Sequence, residues 1–125
     1  MAKLLVVDDE PDMRQYMRTA LERAAHQVTL APSPKEAVRI LEHERFDAVL
    51  LDVDMPDMDG VSFARVLRQN PTILGHQDVP ILMVTGRDDP GVIGESFDAG
   101  AQFFVKKPFS PRELLHAIRL VLDES

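Results

Sequence analysis

Five short apolar segments, separated by stretches with helical spacing, constrain the fold of this chain more than any other feature of its sequence. The segments are rich in Val, Leu, Ile and Phe and have strand length, at residues 3–7, 27–31, 47–52, 80–85 and 102–106. Two of them contain the continuous runs LLVV and AVLL, which are typical of strands buried on both faces of a parallel sheet. The sequence therefore predicts a parallel sheet.

The stretches between these segments have the apolar spacing and the start signals of α-helices. They cover residues 11–25, 34–44, 60–69, 90–98 and 111–123. Ser33 and Ser110 are each followed directly by a proline and have a glutamate three residues further on, which is the pattern of a capping box. The first stretch places four apolar residues on one predicted buried face: Met13, Met17, Leu21 and Ala24. Alternation of strands and helices predicts an α/β fold with helices on both faces of the sheet.

Length and charge narrow the class of protein. The 125 residues are enough for one domain with a real core. The chain has no cysteine, which rules out disulfides and thiolate metal sites. No apolar run approaches the ~20 residues that span a bilayer, and the N-terminus lacks the pattern of a signal peptide. We therefore expect a soluble cytoplasmic protein that does not bind membranes. Because a net charge of −7 disfavours contact with a phosphate backbone, we also expect no direct binding to nucleic acid.

Polar residues follow four of the five predicted strands, at the point where each strand ends. In open parallel sheets, ligands bind outside the carboxyl ends of the strands. Acids follow the first strand (Asp8, Asp9 and Glu10) and lie at the end of the third (Asp52 and Asp54). Thr85 and Gly86 lie at the end of the fourth strand, and Lys107 and Pro108 follow the fifth. We therefore expect these residues to lie close together.

The acids at this edge are suited to binding a magnesium ion. The carboxylates of Asp8, Asp9 and Asp52 would repel one another, and a hard cation with oxygen ligands relieves that repulsion. Together with Lys107, the cation would surround Asp52 with positive charge, an arrangement suited to accepting a phosphoryl group. Asp52 is then the candidate nucleophile, and the Thr85 hydroxyl is a candidate hydrogen-bond donor to a phosphoryl oxygen.

Four motifs carry a resemblance to a known family. They are VVDDEP at 6–11, LLDVDMPDMDG at 50–60, MVTG at 83–86 and GAQFFVKKPF at 100–109. In this order, each at the end of a predicted strand, they resemble the receiver domain of bacterial two-component response regulators along the whole chain. The resemblance implies a single receiver domain over residues 1–125. It also implies a flavodoxin-like, doubly wound sheet of five parallel strands in the order 2-1-3-4-5, with five helices.

The resemblance also implies roles for the residues of this edge. Asp52 is implied as the phosphoryl acceptor and Thr85 as the hydroxyl of a conformational switch. Lys107 is implied as the family's active-site lysine, with a cis peptide bond to Pro108. The implied direct carboxylate ligands of Mg²⁺ are Asp9 and Asp52. Asp8 is implied to act through water, and the backbone carbonyl of Asp54 is implied to complete the ligand set.

Some positions depart from the family pattern, and others are positions that affect dephosphorylation in the family. Phe104 stands where the switch aromatic residue is often tyrosine, so only ring burial is expected to report phosphorylation. Gly86 stands where alanine is common, and its lack of a side chain is expected to leave room for the phosphoryl group. Asp54 and Arg87 occupy positions that tune dephosphorylation in the family, in a direction that the sequence does not fix.

Glycines mark two further segments. Asp59 is predicted to be a turn residue that leads to Gly60 at the start of the third helix. Gly91 and Gly94 lie near the start of the predicted fourth helix, where each interior glycine costs about 1 kcal/mol relative to alanine. That helix is therefore expected to have low local stability and to shift when Thr85 moves.

The leading hypothesis is a signalling module. A sensor histidine kinase or a phosphotransfer protein would donate a phosphoryl group to Asp52 in a Mg²⁺-dependent reaction. The added charge of about −2 would then switch the surface of the fourth helix, fifth strand and fifth helix. That surface would act on a downstream output domain or protein, or form a homodimer. Self-phosphorylation from a phosphodonor and autodephosphorylation would be its only catalysis.

Two alternatives remain open at this stage. A haloacid-dehalogenase-like phosphatase also uses a phosphoaspartate and Mg²⁺, and LLDVDMPDMDG contains its D-x-D pattern. That motif usually follows the first strand, whereas here it follows the third, and Met55 and Pro56 stand where a hydroxyl or branched residue is expected. The other alternative is a degenerate receiver that only binds a partner, against which the intact Asp52, Thr85 and Lys107 argue.

Overall fold

The computed structural model describes residues 1–56, 58–70, 78–86 and 90–123. It contains five strands, β1 to β5: Lys3–Val7, Gln27–Ala31, Ala48–Asp52, Ile81–Thr85 and Phe103–Lys106. Five helices alternate with them, α1 to α5: Pro11–Arg23, Pro34–Leu41, Gly60–Gln69, Pro90–Asp98 and Pro111–Asp123. All strand pairs are parallel, and the order across the sheet is β2-β1-β3-β4-β5. The predicted α/β fold and strand order are confirmed.

The sheet separates two apolar cores. On one face, alternate side chains of the central strands pack against α1 and α5, with Leu4, Leu50 and Leu82 fully buried. On the opposite face, the intervening side chains pack against α2, α3 and α4. All residues of β3 and β4 are buried, because each of these strands has helices over both of its faces. The core therefore explains why the central strands have continuous apolar sequences.

The first helix ends earlier than its apolar pattern predicts. It stops at Arg23, and the amides of Ala24 and Ala25 bond to the carbonyls of Leu21 and Glu22 in a tighter turn. The prediction that Ala24 lies on the buried face is therefore wrong, and this residue is exposed. Ala25 takes the left-handed conformation, with φ of 70°, at a position where glycine usually marks a helix end. Among the described residues, no helix is long and apolar enough to cross a membrane.

The predicted capping boxes form to different extents. At α5, the Glu113 amide donates to Ser110 Oγ at 3.1 Å, and the Ser110 amide donates to Glu113 Oε1 at 2.9 Å. At α2, the Glu36 amide donates to Ser33 Oγ at 3.3 Å. The Glu36 carboxylate accepts from Arg39 at 3.3 Å. The box is thus reciprocal at α5 and one-sided at α2.

A half-buried arginine joins three elements near the N-terminal end of β4. Arg68 of α3 donates to the carbonyl of Val79 at 2.7 Å and to that of Gly100 at 2.6 Å. It also approaches Gln102 Oε1 at 3.4 Å, and the same oxygen accepts from the amide of Ile81 at 2.7 Å. Charge-assisted bonds of this kind are stronger than neutral ones. This Arg68 cluster fixes the end of α3 to the start of β4 and to the turn before β5.

Candidate functional site

Three carboxylates meet at the carboxyl ends of β1 and β3. Asp8 directly follows β1 and Asp52 ends β3, and the pairing of Val7 with Leu51 sets these two strand ends side by side. One oxygen from each of Asp8, Asp9 and Asp52 lies within 4.8 Å of the others. Asp8 is 0% exposed and Asp52 is 2% exposed, whereas Asp9 is exposed. The acids that the sequence singled out thus form one pocket with an open side at Asp9.

Lys107 brings a positive charge to these acids. Its Nζ lies 3.3 Å from Asp52 Oδ1, 3.5 Å from Asp8 Oδ2 and 3.7 Å from Glu10 Oε1. Its backbone amide donates to the carbonyl of Thr85 at 2.7 Å, which holds the end of β5 beside the end of β4. The peptide bond between Lys107 and Pro108 is cis. One cation therefore contacts three carboxylates.

Burial and mutual repulsion change the protonation of the site. Burial, assisted by the charge of Asp8, raises the pKa of Asp52 from 3.8 to about 6, although Lys107 and the Asp54 amide oppose this shift. Burial also raises the pKa of Asp8, against the effects of the Glu10 amide and Lys107. For Lys107, burial lowers the pKa, but Asp52 and Asp8 outweigh it and the net shift is upward. Lys107 is therefore held as a cation, whereas the two buried acids resist ionisation together.

The hydrogen bonds of the buried acids leave one oxygen without a donor. Asp52 Oδ1 accepts from the Asp54 amide and from Lys107, both at 3.3 Å. Asp8 Oδ1 accepts from the Glu10 amide at 2.9 Å. Asp8 Oδ2 is buried and has no hydrogen-bond donor in the described part of the chain, although Lys107 lies at ion-pair distance. A carboxylate oxygen in this state, beside two further carboxylates, fits the oxygen-rich ligand set of Mg²⁺.

The residues that follow β4 and β5 differ in exposure. Thr85 ends β4 and is 1% exposed. Gly86 is exposed, and a Cβ at this position would meet no atom of the described residues within 4 Å, so their packing does not require a glycine there. Phe104 of β5 is half-buried, and its ring meets that of Phe97 edge-on at 6.3 Å. Arg87, which the sequence assigned to tuning, lies outside the described residues.

Gly60 supports the site in a way that the sequence did not reveal. A Cβ on Gly60 would overlap the carbonyl oxygen of Asp52 and lie 3.0 Å from the Cα of Val53. The Gly60 amide donates to the carbonyl of Val53 at 2.9 Å. Asp59 is the N-cap of α3, with Oδ1 accepting from the Ser62 amide at 2.8 Å, and is therefore more than the turn residue that was expected. The start of α3 thus packs directly on the backbone of the acceptor candidate.

The start of α1 contributes two further contacts, of which the sequence indicated one. Glu10, which was expected at this edge of the sheet, is the third carboxylate on Lys107 and is also the N-cap residue of α1. Arg14 Nη1 donates to the backbone carbonyl of Asp8 at 2.8 Å. The contact of Arg14 depends on the reach of a long side chain, for which the spacing of the motifs gives no signal.

Comparison with known proteins identifies the family. The family model of the response regulator receiver domain matches residues 4–119. The chain belongs to this family. The receiver domain is 32% identical over 120 residues to the transcriptional regulatory protein SrrA of Staphylococcus aureus, covering 96% of this chain and 47% of SrrA. The chain therefore spans about half the length of the curated relatives that it matches.

Solved receiver structures have the same fold. The chemotaxis protein CheY4 of Vibrio cholerae superposes on this receiver domain with a TM-score of 0.90 at 35% identity, covering 98% of this chain and 99% of CheY4. A CheY-like response regulator receiver domain protein of Methanospirillum hungatei gives 0.86 at 29% identity, covering 99% and 95% of the two chains. The prediction of a receiver domain with the flavodoxin-like fold is confirmed.

Family membership decides between the function classes. Receiver domains of response regulators are signalling domains rather than classical enzymes, and response regulators in general interact with histidine kinases and output domains. The prediction of a phosphoryl-accepting signalling function agrees with this membership. In phosphatases of the alternative class the D-x-D pattern usually follows the first strand, whereas Asp52 ends β3. Membership therefore argues against that alternative.

Proposed function

We propose that residues 1–125 form one receiver domain that is switched by phosphorylation of Asp52. The observation that carries this proposal is the environment of the Asp52 carboxylate. It is 2% exposed, shares a pocket with Asp8 and Asp9, and lies 3.3 Å from Lys107 Nζ. Carboxylates act as nucleophiles toward phosphorus in aspartyl-phosphate proteins. A cation beside the nucleophile offsets the repulsion between Asp52 and an incoming anionic phosphoryl group.

The hydrogen bonds of Asp52 distinguish its two oxygens. Oδ1 accepts from Lys107 and from the Asp54 amide, whereas Oδ2 accepts no hydrogen bond from the described residues. We therefore assign Oδ2 as the nucleophile. As the Oδ2–P bond forms, the bond from phosphorus to the donor's leaving group breaks, and that group leaves with the electron pair. The pKa of Asp52, about 6, keeps most of this carboxylate ionised at neutral pH, as the reaction requires.

The acids around Asp52 would hold Mg²⁺. In the proposed ligand set Asp9 and Asp52 bind directly, Asp8 binds through water, and the backbone carbonyl of Asp54 completes the protein ligands. When bound, the ion neutralises negative charge on the phosphoryl oxygens. Lys107 pairs with a second phosphoryl oxygen, since its raised pKa keeps it charged. The Thr85 hydroxyl donates to a phosphoryl oxygen.

The proposed output is a change of surface at α4, β5 and α5. Movement of Thr85 toward the phosphoryl group would make space for the ring of Phe104, which is half-buried in this structure. The domain would act in the cytoplasm, and its upstream partner would be a sensor histidine kinase or a phosphotransfer protein. Downstream, the same surface would contact an output domain or protein, or a second copy of the chain.

Intact-mass measurement after incubation with acetyl phosphate and Mg²⁺ tests this function. We expect one added phosphoryl group, no addition when the metal is chelated, and none in Asp52→Asn. Asp98→Asn serves as the matched control, because Asp98 is an exposed aspartate at the end of α4, and we expect it to be phosphorylated like the wild type. An unchanged mass of the wild type, beside a control receiver that is modified, would support the degenerate receiver instead.

A further inference from the structure

An arginine beside the acidic pocket donates to a backbone carbonyl. Arg14 lies one helical turn into α1, and its Nη1 donates to the carbonyl of Asp8 at 2.8 Å. It forms no ion pair with any carboxylate in the part of the chain that the structure describes. The guanidinium therefore acts on the backbone of this segment rather than on its carboxylates.

The carbonyl that Arg14 contacts belongs to the peptide unit between Asp8 and Asp9. Because a peptide unit is planar, the direction of its carbonyl fixes the direction in which the chain continues to the Cα of Asp9. On the other side of this unit, the Glu10 amide donates to Asp8 Oδ1 at 2.9 Å, and the Asp8 amide donates to the carbonyl of Ala31 at 3.2 Å. The backbone of the segment is thus held from three directions.

In the part of the chain that the structure describes, the Asp9 side chain is held only through the backbone of this segment. It is exposed, and its carboxylate accepts no hydrogen bond from the described residues. Its oxygen nevertheless lies within 4.8 Å of oxygens of Asp8 and Asp52, which repel it. Only the backbone keeps this carboxylate near the other two, and Arg14 is the one side chain among the described residues whose donor fixes that backbone carbonyl.

We propose that Arg14 is a positioning residue for the magnesium site, acting through the Asp8–Asp9 peptide to keep the Asp9 carboxylate where it can bind the ion. This inference rests on the proposed function, because it presupposes the Mg²⁺ site at Asp9 and Asp52. It assigns Arg14 no contact with the ion or with the phosphoryl group. Outer residues that orient a ligand commonly change metal affinity by about 10-fold or more when they are substituted.

Isothermal titration with Mg²⁺ tests the proposal, using Arg14→Met and the control Arg18→Met. Both substitutions remove one positive charge from α1, and among the described residues Arg18 pairs only with Glu22 on the surface, at 3.3 Å. Loss of a nearby positive charge alone would tighten Mg²⁺ binding, whereas loss of positioning weakens it. We expect the Kd of Arg14→Met to rise about 10-fold. We expect Arg18→Met to stay within about 2-fold of the wild type, since screening by salt weakens the effect of a distant charge.

Two further variants separate positioning from folding. Arg14→Lys keeps the charge and one donor, so we expect it to recover part of the affinity. In an Asp9→Asn background, Arg14→Met should change the Kd by less than about 2-fold, because two residues that act through one contact are not additive. All titrations are made below the melting temperature of each variant. An unchanged or lower Kd in Arg14→Met overturns the inference, whereas a wild type that binds no Mg²⁺ overturns the proposed function itself.

Discussion

Gly60→Ala is expected to lower the free energy of unfolding by about 3 kcal/mol, because overpacking against a backbone that cannot move aside is among the most destabilising of substitutions. The added Cβ would overlap the carbonyl oxygen of Asp52 and press on the Cα of Val53. The carbonyl belongs to Asp52, the last residue of β3, and Val53 directly follows it; β3 is paired with β1 and β4. The strain would therefore fall on the backbone of the proposed phosphoryl acceptor.

Urea denaturation followed by far-ultraviolet circular dichroism measures this effect. Gly94→Ala is the matched control, because a Cβ at Gly94, inside α4, would meet no atom within 4 Å. Alanine should there stabilise the protein by about 0.5 to 1 kcal/mol, since it has the higher helix propensity. If Gly60→Ala were as stable as the wild type, the close packing of α3 on β3 would not restrict this position.

Asp52→Asn is expected to stabilise the metal-free protein at neutral pH, by up to about 3 kcal/mol, even though it removes the proposed nucleophile. The folded state raises the pKa of Asp52 from 3.8 to about 6, mainly through burial and then through the charge of Asp8. A raised pKa means that the folded protein binds this proton more tightly than the unfolded chain does. The resulting stabilisation is fully present below about pH 4 and is lost as the pH rises through about 6. Asparagine does not ionise and therefore avoids this loss.

The measurement is denaturation in a chelator at several pH values. We expect the advantage of Asp52→Asn to be largest near pH 7.5 and to shrink toward zero at about pH 4. Glu95→Gln, which removes an exposed charge from α4, should differ from the wild type by less than about 0.5 kcal/mol. Adding Mg²⁺ should narrow the gap, because the ion stabilises only a folded site that retains its acids. An advantage of Asp52→Asn that does not depend on pH would contradict the electrostatic explanation.

The strands and most of the helices could be predicted from the sequence because burial on two faces requires continuous apolar runs. Helix ends were less predictable where the residues that usually end a helix are absent. At the end of α1, Ala25 instead of a glycine takes the left-handed conformation. The predicted helix therefore extended past Arg23 and included Ala24. The end of α2 at Leu41 was similarly placed too late, at residue 44.

The candidate site could be predicted where residues directly follow strands. Asp8, Asp52, Thr85 and Lys107 meet because parallel strands end at one edge of the sheet. Arg14 and Gly60 could not be found this way. The contact of Arg14 depends on how far a long side chain reaches back along α1, and that of Gly60 on how closely α3 approaches β3. Neither distance is encoded in a local pattern.

The Arg68 cluster and the acidic pocket lie at opposite ends of β4. Ile81 meets the cluster and Thr85 borders the pocket, and four residue steps along a strand separate them by ~13 Å. Sites this far apart that share no partner have additive effects on folding free energy. A substitution in the Arg68 cluster is therefore expected to change the free energy of unfolding by the same amount whichever residue stands at position 52. Stability can thus be adjusted at the far end of β4 separately from the chemistry proposed at Asp52.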